Sequence, residues 1–208
     1  MRYNIIGSGS SGNAVIINDV IMIDCGVSFK ALREVYKKIK LVLLTHVHGD
    51  HYKPSTIRML AKNRPTLRVA CCEWLADEVG RIVKRTDVLE IGKTYNYGEF
   101  KVSPIKLYHD VPNCGYRIFW GDKKLLYATD TSTMQGISAK NYDMYMIERN
   151  YEEAEIIDRI AKKEACGKYA YERRAMHNHL SDQQCNEFIA ANAGPNSEYI
   201  YMHMHGGE

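Results

Sequence analysis

Short runs of apolar and β-branched residues, broken at close intervals by turn formers, open the chain at 3–6, 14–17 and 20–23, the last two joined across Asn18-Asp19. This alternation predicts a β-meander. Ser28 then stands as an N-cap ahead of Phe29, Leu32, Val35 and Ile39, whose near-helical spacing predicts a helix leading into an apolar strand at 41–44. Pro54 suits the first turn of a helix reaching Leu60, 67–70 reads as a strand and 73–84 as a helix. Strands return from 88 to 128, with Gly98 and Gly121-Asp122 as turns. The remainder holds a strand at 144–147, a helix at 153–163, a helix from Ser181 to about Asn192 and a strand at 199–202. Ser181-Asp182-Gln183-Gln184 has the pattern of a capping box, and Gly194-Pro195 is a stop signal. Strands interleaved with helices, with no internal repeat, low-complexity stretch or linker, predict one α/β (α+β) domain over 1–208, its sheets sandwiched between helices in four layers, αββα.

Composition changes this picture little. With 208 residues and 45% apolar side chains the chain can bury one ordinary core. A net charge of +3 is too small to announce nucleic-acid binding, although Lys37-Lys38 with Lys40, and Arg173-Arg174, form local basic clusters. No window approaches the roughly 18 uninterrupted apolar residues of a membrane span, and residues 1–6 form no signal-peptide core, so a cytoplasmic protein is expected. Cysteines at 25, 71, 72, 114, 166 and 185 have neither disulfide-framework spacing nor a Cys-x-x-Cys pair, so reduced thiols filling space are expected. Gly7-Ser8-Gly9-Ser10-Ser11-Gly12 satisfies the dinucleotide fingerprint, but Asn13-Ala14-Val15-Ile16-Ile17 continues as a strand and leaves no helix N-terminus for a pyrophosphate. A tight hairpin loop near the mouth of the site is expected there instead.

The candidate chemistry concentrates in Thr45-His46-Val47-His48-Gly49-Asp50-His51, three imidazoles and a carboxylate directly behind Leu41-Val42-Leu43-Leu44. Neutral imidazole and carboxylate suit zinc, manganese or iron, and such a turn can load one ion with His46 and His48 and a second with Asp50 and His51. Further ligands are then required. His109, in Leu107-Tyr108-His109-Asp110, can complete three imidazoles on the first ion, and Asp130, after an apolar strand at 125–128, can bridge both. The second ion still needs an imidazole, from His203 or its neighbour His205 in Tyr201-Met202-His203-Met204-His205.

Taken in order, Thr-His-x-His-x-Asp-His, a later strand-end His, an Ala-Thr-Asp-Thr segment and a final His resemble the metallo-β-lactamase superfamily over the whole chain. The opening Gly-Ser-Gly-Ser-Ser-Gly-Asn-Ala, Ile23-Asp24-Cys25-Gly26, Glu148-Arg149-Asn150-Tyr151 and His179-Leu180-Ser181 narrow the resemblance to the branch holding YycJ/WalJ-type proteins and RNase Z-like phosphodiesterases. The resemblance implies hydrolysis of a phosphodiester in a nucleic acid or nucleotide, two divalent metal ions (Zn2+ or Mn2+), a homodimer, and a Glu148–His179 pair that handles the leaving group's proton. The sequence departs from that branch in Asn178, where Gly usually precedes the His-Leu-Ser, in the added His177, and in stopping at Glu208. A short tail favours nucleic-acid ends or (cyclic) nucleotides over an internal duplex site.

The expected mechanism follows. Two ions lower the pKa of a shared water from 15.7 towards about 7, and the resulting hydroxide attacks phosphorus in line. Asp50 orients it, and His179, held by Glu148, protonates the departing oxygen. The same core also suits carboxyl ester, lactone or thioester hydrolysis. The Glu148–His179 pair tips the balance, because an alkoxide leaving group needs a proton donor more than an activated thiolate does. A third reading, a binding module that has lost its chemistry, sits poorly with so complete a ligand set. The 15 tyrosines suit core and surface packing, and equally offer stacking partners for bases.

Overall fold

The turn formers near the amino terminus act as their positions require. β1 (Tyr3–Gly7), β2 (Ala14–Ile17) and β3 (Ile21–Ile23) pair antiparallel in chain order, and Asn18 and Asp19 take φ of 49° and 63°, left-handed geometry that these two residue types tolerate. In this computed structural model, which describes residues 1–204, the chain forms two units, Met1–Pro104 and a second beginning at Ile105.

In the first unit β4 (Leu41–Leu43), β5 (Arg68–Cys72) and β6 (Thr86–Leu89) add to β3 in parallel, giving a sheet of order β1-β2-β3-β4-β5-β6. Parallel strands are covered on both faces and read as unbroken apolar runs, as Leu41-Val42-Leu43 does. The crossovers use α1 (Pro54–Asn63), with Pro54 in its first turn, and α2 (Glu73–Gly80). Two helices differ from expectation. Between β3 and β4 only Phe29–Leu32 is helical, as a 3₁₀ turn whose cap Ser28 accepts a hydrogen bond from Ala31 N, and 33–39 continues in turns such as Val35 N to Leu32 O and Lys38 N to Val35 O. Phe29, Leu32 and Val35 are three apart, which is the 3₁₀ period and not 3.6. The second helix stops at Gly80, where glycine and the following β-branched Ile82-Val83 favour leaving the helix before β6. β7 (Tyr95–Asn96) forms a hairpin with the start of β8 (Phe100–Tyr108) around Gly98, at φ 87°.

The second unit is built on a sheet of order β12-β11-β10-β9-β8. β9 (Pro112–Trp120) and β10 (Lys123–Ala128) form a hairpin across Gly121-Asp122, and β11 (Met144–Glu148) and β12 (Glu198–Met202) follow in parallel. α3 (Glu153–Ala165), α4 (Glu172–Asn178) and α5 (Asp182–Asn192) connect the last strands, α5 opening on the expected capping box. α4 was not expected, because none of its residues is buried and it shows no apolar stripe. Leu126, Ala128, Tyr145 and Ile147 of β10 and β11 pack with Leu180, Cys185, Phe188 and Ile189 into this unit's main core. The fold is therefore α/β with two sheets and helices, as expected. No helix among the described residues is long and apolar enough to cross a membrane.

Candidate metal centre

In the first unit, the turn after β4 is fixed from behind by Asp24, which follows β3. Asp24 is fully buried at φ 59°; its Oδ1 accepts from Thr45 N and Thr45 Oγ1, both at 2.9 Å, and its Oδ2 accepts from His51 Nδ1 at 2.7 Å. With its Oγ1 proton given to Asp24, Thr45 Oγ1 is left to accept from His46 Nδ1, 2.9 Å away. Both histidines are thus held through Nδ1, leaving Nε2 with a lone pair, the arrangement by which carboxylates orient metal-binding imidazoles. His46 Nε2 faces His48 Nδ1 at 3.1 Å, and the rings of His46 and His51 lie 4.3 Å apart. Asp50 Oδ2 is 3.6 Å from His51 Nε2.

The glycine-rich loop also serves this turn. Asn13, fully buried, accepts from Gly9 N through its Oδ1 and donates through Nδ2 to Gly9 O, with Asp50 O at 3.2 Å and His51 Nε2 at 2.8 Å. Gly12 N bonds back to Gly9 O. The loop therefore closes on itself and presents Asn13 to the histidine turn, as a hairpin connection and not as a phosphate cradle.

In the second unit, Asp130 follows β10 at φ 57° and is nearly fully buried. Its backbone is clamped on two sides. Asn113 Nδ2 donates to Thr129 O at 3.1 Å and Asp130 O at 2.6 Å, while Thr131 N donates to Glu148 Oε2 at 3.1 Å. Around the Asp130 Oδ1 atom lie His203 Nε2 at 3.6 Å, His179 Nδ1 at 3.7 Å and His109 Nε2 at 3.9 Å. His109 Nδ1 donates to Asn178 O at 3.1 Å. Burial pushes the His109 pKa below its ordinary value against the pull of Asp130, which favours the neutral, metal-binding imidazole. Glu148, fully buried at the end of β11, accepts from His179 Nδ1 at 2.5 Å and from Leu180 N at 3.3 Å, and lies 3.3 Å from His203 Nδ1. The rings of His179 and His203 stack at 5.3 Å.

Within the first unit the structure brings His46, His48, Asp50 and His51 together; within the second it gathers His109, Asp130, Glu148, His179 and His203. Asp130, Glu148, His179 and His203 each offer an atom that could bind an ion, all four within 4.8 Å of one another. Imidazole nitrogens turned outward beside carboxylates form a donor set that fits divalent ions. Both oxygens of Glu148 accept protein N–H groups, Oε1 from His179 and Oε2 from Thr131 and Leu180, which suits an anchor for His179. His205 lies outside the described residues, and His177 is an exposed residue of α4. The sequence reading assigned no role to Asp24, Thr45, Asn13 or Asn113. Asp24 carried the same signal as Asp130, a lone carboxylate closing an apolar strand; Asn13 and Asn113 carried none.

A family model described as a β-lactamase superfamily domain matches residues 20–204. The chain is 28% identical over 225 residues to exodeoxyribonuclease WalJ of Streptococcus pneumoniae serotype 2, covering 97% of this chain and 80% of that one. It is 27% identical over 140 residues to ribonuclease Z of Thermosynechococcus vestitus, covering 57% of this chain and 34% of that enzyme. In structure it resembles the metallo-β-lactamase fold protein YhfI of Bacillus subtilis, with a TM-score of 0.75 and 18% identity over 99% of this chain and 87% of YhfI.

Proposed function

Since this chain belongs to the β-lactamase superfamily, as a nuclease-like hydrolase of the metallo-β-lactamase fold, we propose that it is a metal-dependent phosphodiesterase acting on nucleic-acid ends or on linear or cyclic nucleotides. The observation that carries this reading is the 2.5 Å contact between His179 Nδ1 and Glu148 Oε1, set beside Asp130. A phosphodiester leaves as an alkoxide and needs a proton; a donor pair next to metal ligands meets that need.

Two divalent ions, Zn2+ or Mn2+, would be held by His46, His48, Asp50, His51, His109, Asp130 and His203. When bound they supply Lewis-acid polarisation of the phosphate and acidification of a water. The chain's own groups do the rest. Asp50 orients the attacking water, and its carboxylate, partly open to solvent, can turn towards it. Glu148 accepts from Nδ1 of His179, and in the imidazolium, where both ring nitrogens carry a proton, Nε2 is the donor to the departing oxygen. Asn113 and Thr131 keep the Asp130 turn from relaxing out of its left-handed backbone. The same reading carries the expectations of a single working domain, a cytoplasmic location and a homodimer.

The test is substrate choice. Metal-loaded protein is offered end-labelled single-stranded DNA and RNA, 2′,3′- and 3′,5′-cyclic nucleotides, and in parallel a lactone and a thioester. Release of mononucleotides or opening of the cyclic phosphodiester supports the reading. Turnover confined to the lactone or thioester overturns it.

A further inference from the structure

We infer that Tyr169 and Tyr171 form a stacking platform for the bases of a single-stranded nucleic acid, at the end of α4 opposite His179. The inference rests on the phosphodiesterase reading and names how the substrate strand is held. Among the described residues these are the two most exposed large apolar side chains, 74% and 72%. Their ring centroids lie 4.8 Å apart with planes at 72°.

The backbone between them is not loose. Ala170 is buried against Ile156 and Ile160 of α3, with Tyr151 and Ala175 beside it. Burial of the middle residue of Tyr-Ala-Tyr leaves both flanking rings on the solvent side of one anchored segment. Aromatic rings of this size normally sit in cores or interfaces. Two exposed side by side offer π-faces that any base can cover.

Position points the same way. Within the segment Arg173 is paired with Glu164 and Glu172 with Lys163, and Lys168 is the cation next to Tyr169 in the chain. Arg174 is paired with Asp110, the neighbour of His109. Tyr171 caps the start of α4, while the far end of that helix gives Asn178 O to His109 and His179 to Glu148. Seven helical residues span about 10 Å, roughly three stacked base steps of about 3.4 Å. A strand with its scissile phosphate at His179 therefore reaches the tyrosines about three nucleotides away. Bases inside a duplex already stack on one another, so the platform selects a single strand.

The experiment uses metal-loaded protein and a fluorescein-labelled phosphorothioate oligothymidylate, chosen to resist cleavage, with binding read by anisotropy. A protein with Tyr169→Ala and Tyr171→Ala should bind at least about tenfold more weakly, while the Phe pair stays within about twofold of wild type, because stacking uses the ring and not the hydroxyl. Hydrolysis of bis(p-nitrophenyl) phosphate, too small to span α4, should be unchanged in both. Oligonucleotide binding by the alanine protein within about twofold of wild type overturns the platform, as does no binding by wild type, or a loss of about tenfold in the Phe pair equal to that in the alanine protein. Failure of the phosphodiesterase reading would look different: wild type would bind the strand through the tyrosines and hydrolyse no phosphodiester.

Discussion

Asp24 carries no ligand atom in the proposed centre, yet it determines how two of the histidines act. By accepting from His51 Nδ1 and from Thr45, which in turn holds His46 Nδ1, it keeps both Nε2 atoms unprotonated. Asp24→Ala lets the His51 proton move to Nε2. Metal affinity should fall about 10- to 100-fold, as is usual on loss of such a partner, with far-UV circular dichroism unchanged; chelator competition reads it, and unaltered affinity would contradict the role. The cysteines give a second residue-scale prediction. Desolvation pushes the Cys71 and Cys185 thiols up to about 12, and burial beside Asp24 pushes Cys25 up as well. A raised thiol pKa means that the reactive thiolate is scarce until pH approaches that value. Near pH 8, iodoacetamide should modify the exposed Cys166 and leave the five buried thiols, all six reacting only in denaturant. Cys166→Ser should abolish labelling of the folded chain, and persistent labelling would place a second thiol at the surface.

Between elements, the histidine turn is held backbone to backbone. Asn13 N bonds to Asp50 O at 2.6 Å, Cys25 N to His51 O at 2.8 Å and Gly26 N to Asn13 O at 2.9 Å. A Cβ on Gly26 would lie 1.7 Å from Asp50 O. Gly26→Ala must therefore push the turn away from β3, and it should both lower the melting temperature and reduce bound metal. Gly49, with open space where its Cβ would point, is the control: Gly49→Ala should leave both nearly unchanged. Most of this scale was legible in the sequence, because strands such as 41–44 carry unbroken apolar runs and α5 carries its cap in four letters. What was not legible had weak local signal. The 29–39 segment mixes spacings of three and four, and only packing of Leu32 and Ile39 into the core decides for turns. α4 buries no residue of its own, so no period announces it.

Over the whole molecule one rule locates the chemistry apart from His179, which closes α4: in each unit the other reactive side chains follow the carboxyl ends of strands. Asp24 follows β3 and the histidine turn follows β4; in the other unit His109 follows β8, Asp130 follows β10, Glu148 closes β11 and His203 follows β12. Ligands of open sheets gather at such ends. That is why strand-end His109, Asp130 and His203 could be named from sequence, whereas Asn13 and Asn113, which steady those ends from neighbouring segments, could not. Ions that bind only the folded chain stabilise it by mass action, by about 2.7 kcal/mol at a hundredfold excess over Kd. Chelation should therefore lower the melting temperature of wild type and leave Asp130→Ala unmoved.

The central claim is a division of labour between residues that hold metal and a pair that moves a proton. It is tested most directly by measuring bound metal and hydrolysis of a dinucleoside phosphodiester, whose alkoxide leaving group needs a proton, in the same preparations of wild type, Asp130→Ala and His179→Ala. Wild type should hold two ions and turn over; Asp130→Ala should lose both properties; His179→Ala should keep its metal and lose about 10²- to 10⁴-fold in kcat, the usual worth of a general acid. Loss of metal from His179→Ala would make His179 a ligand, and turnover by Asp130→Ala at the wild-type rate would contradict the metal centre itself.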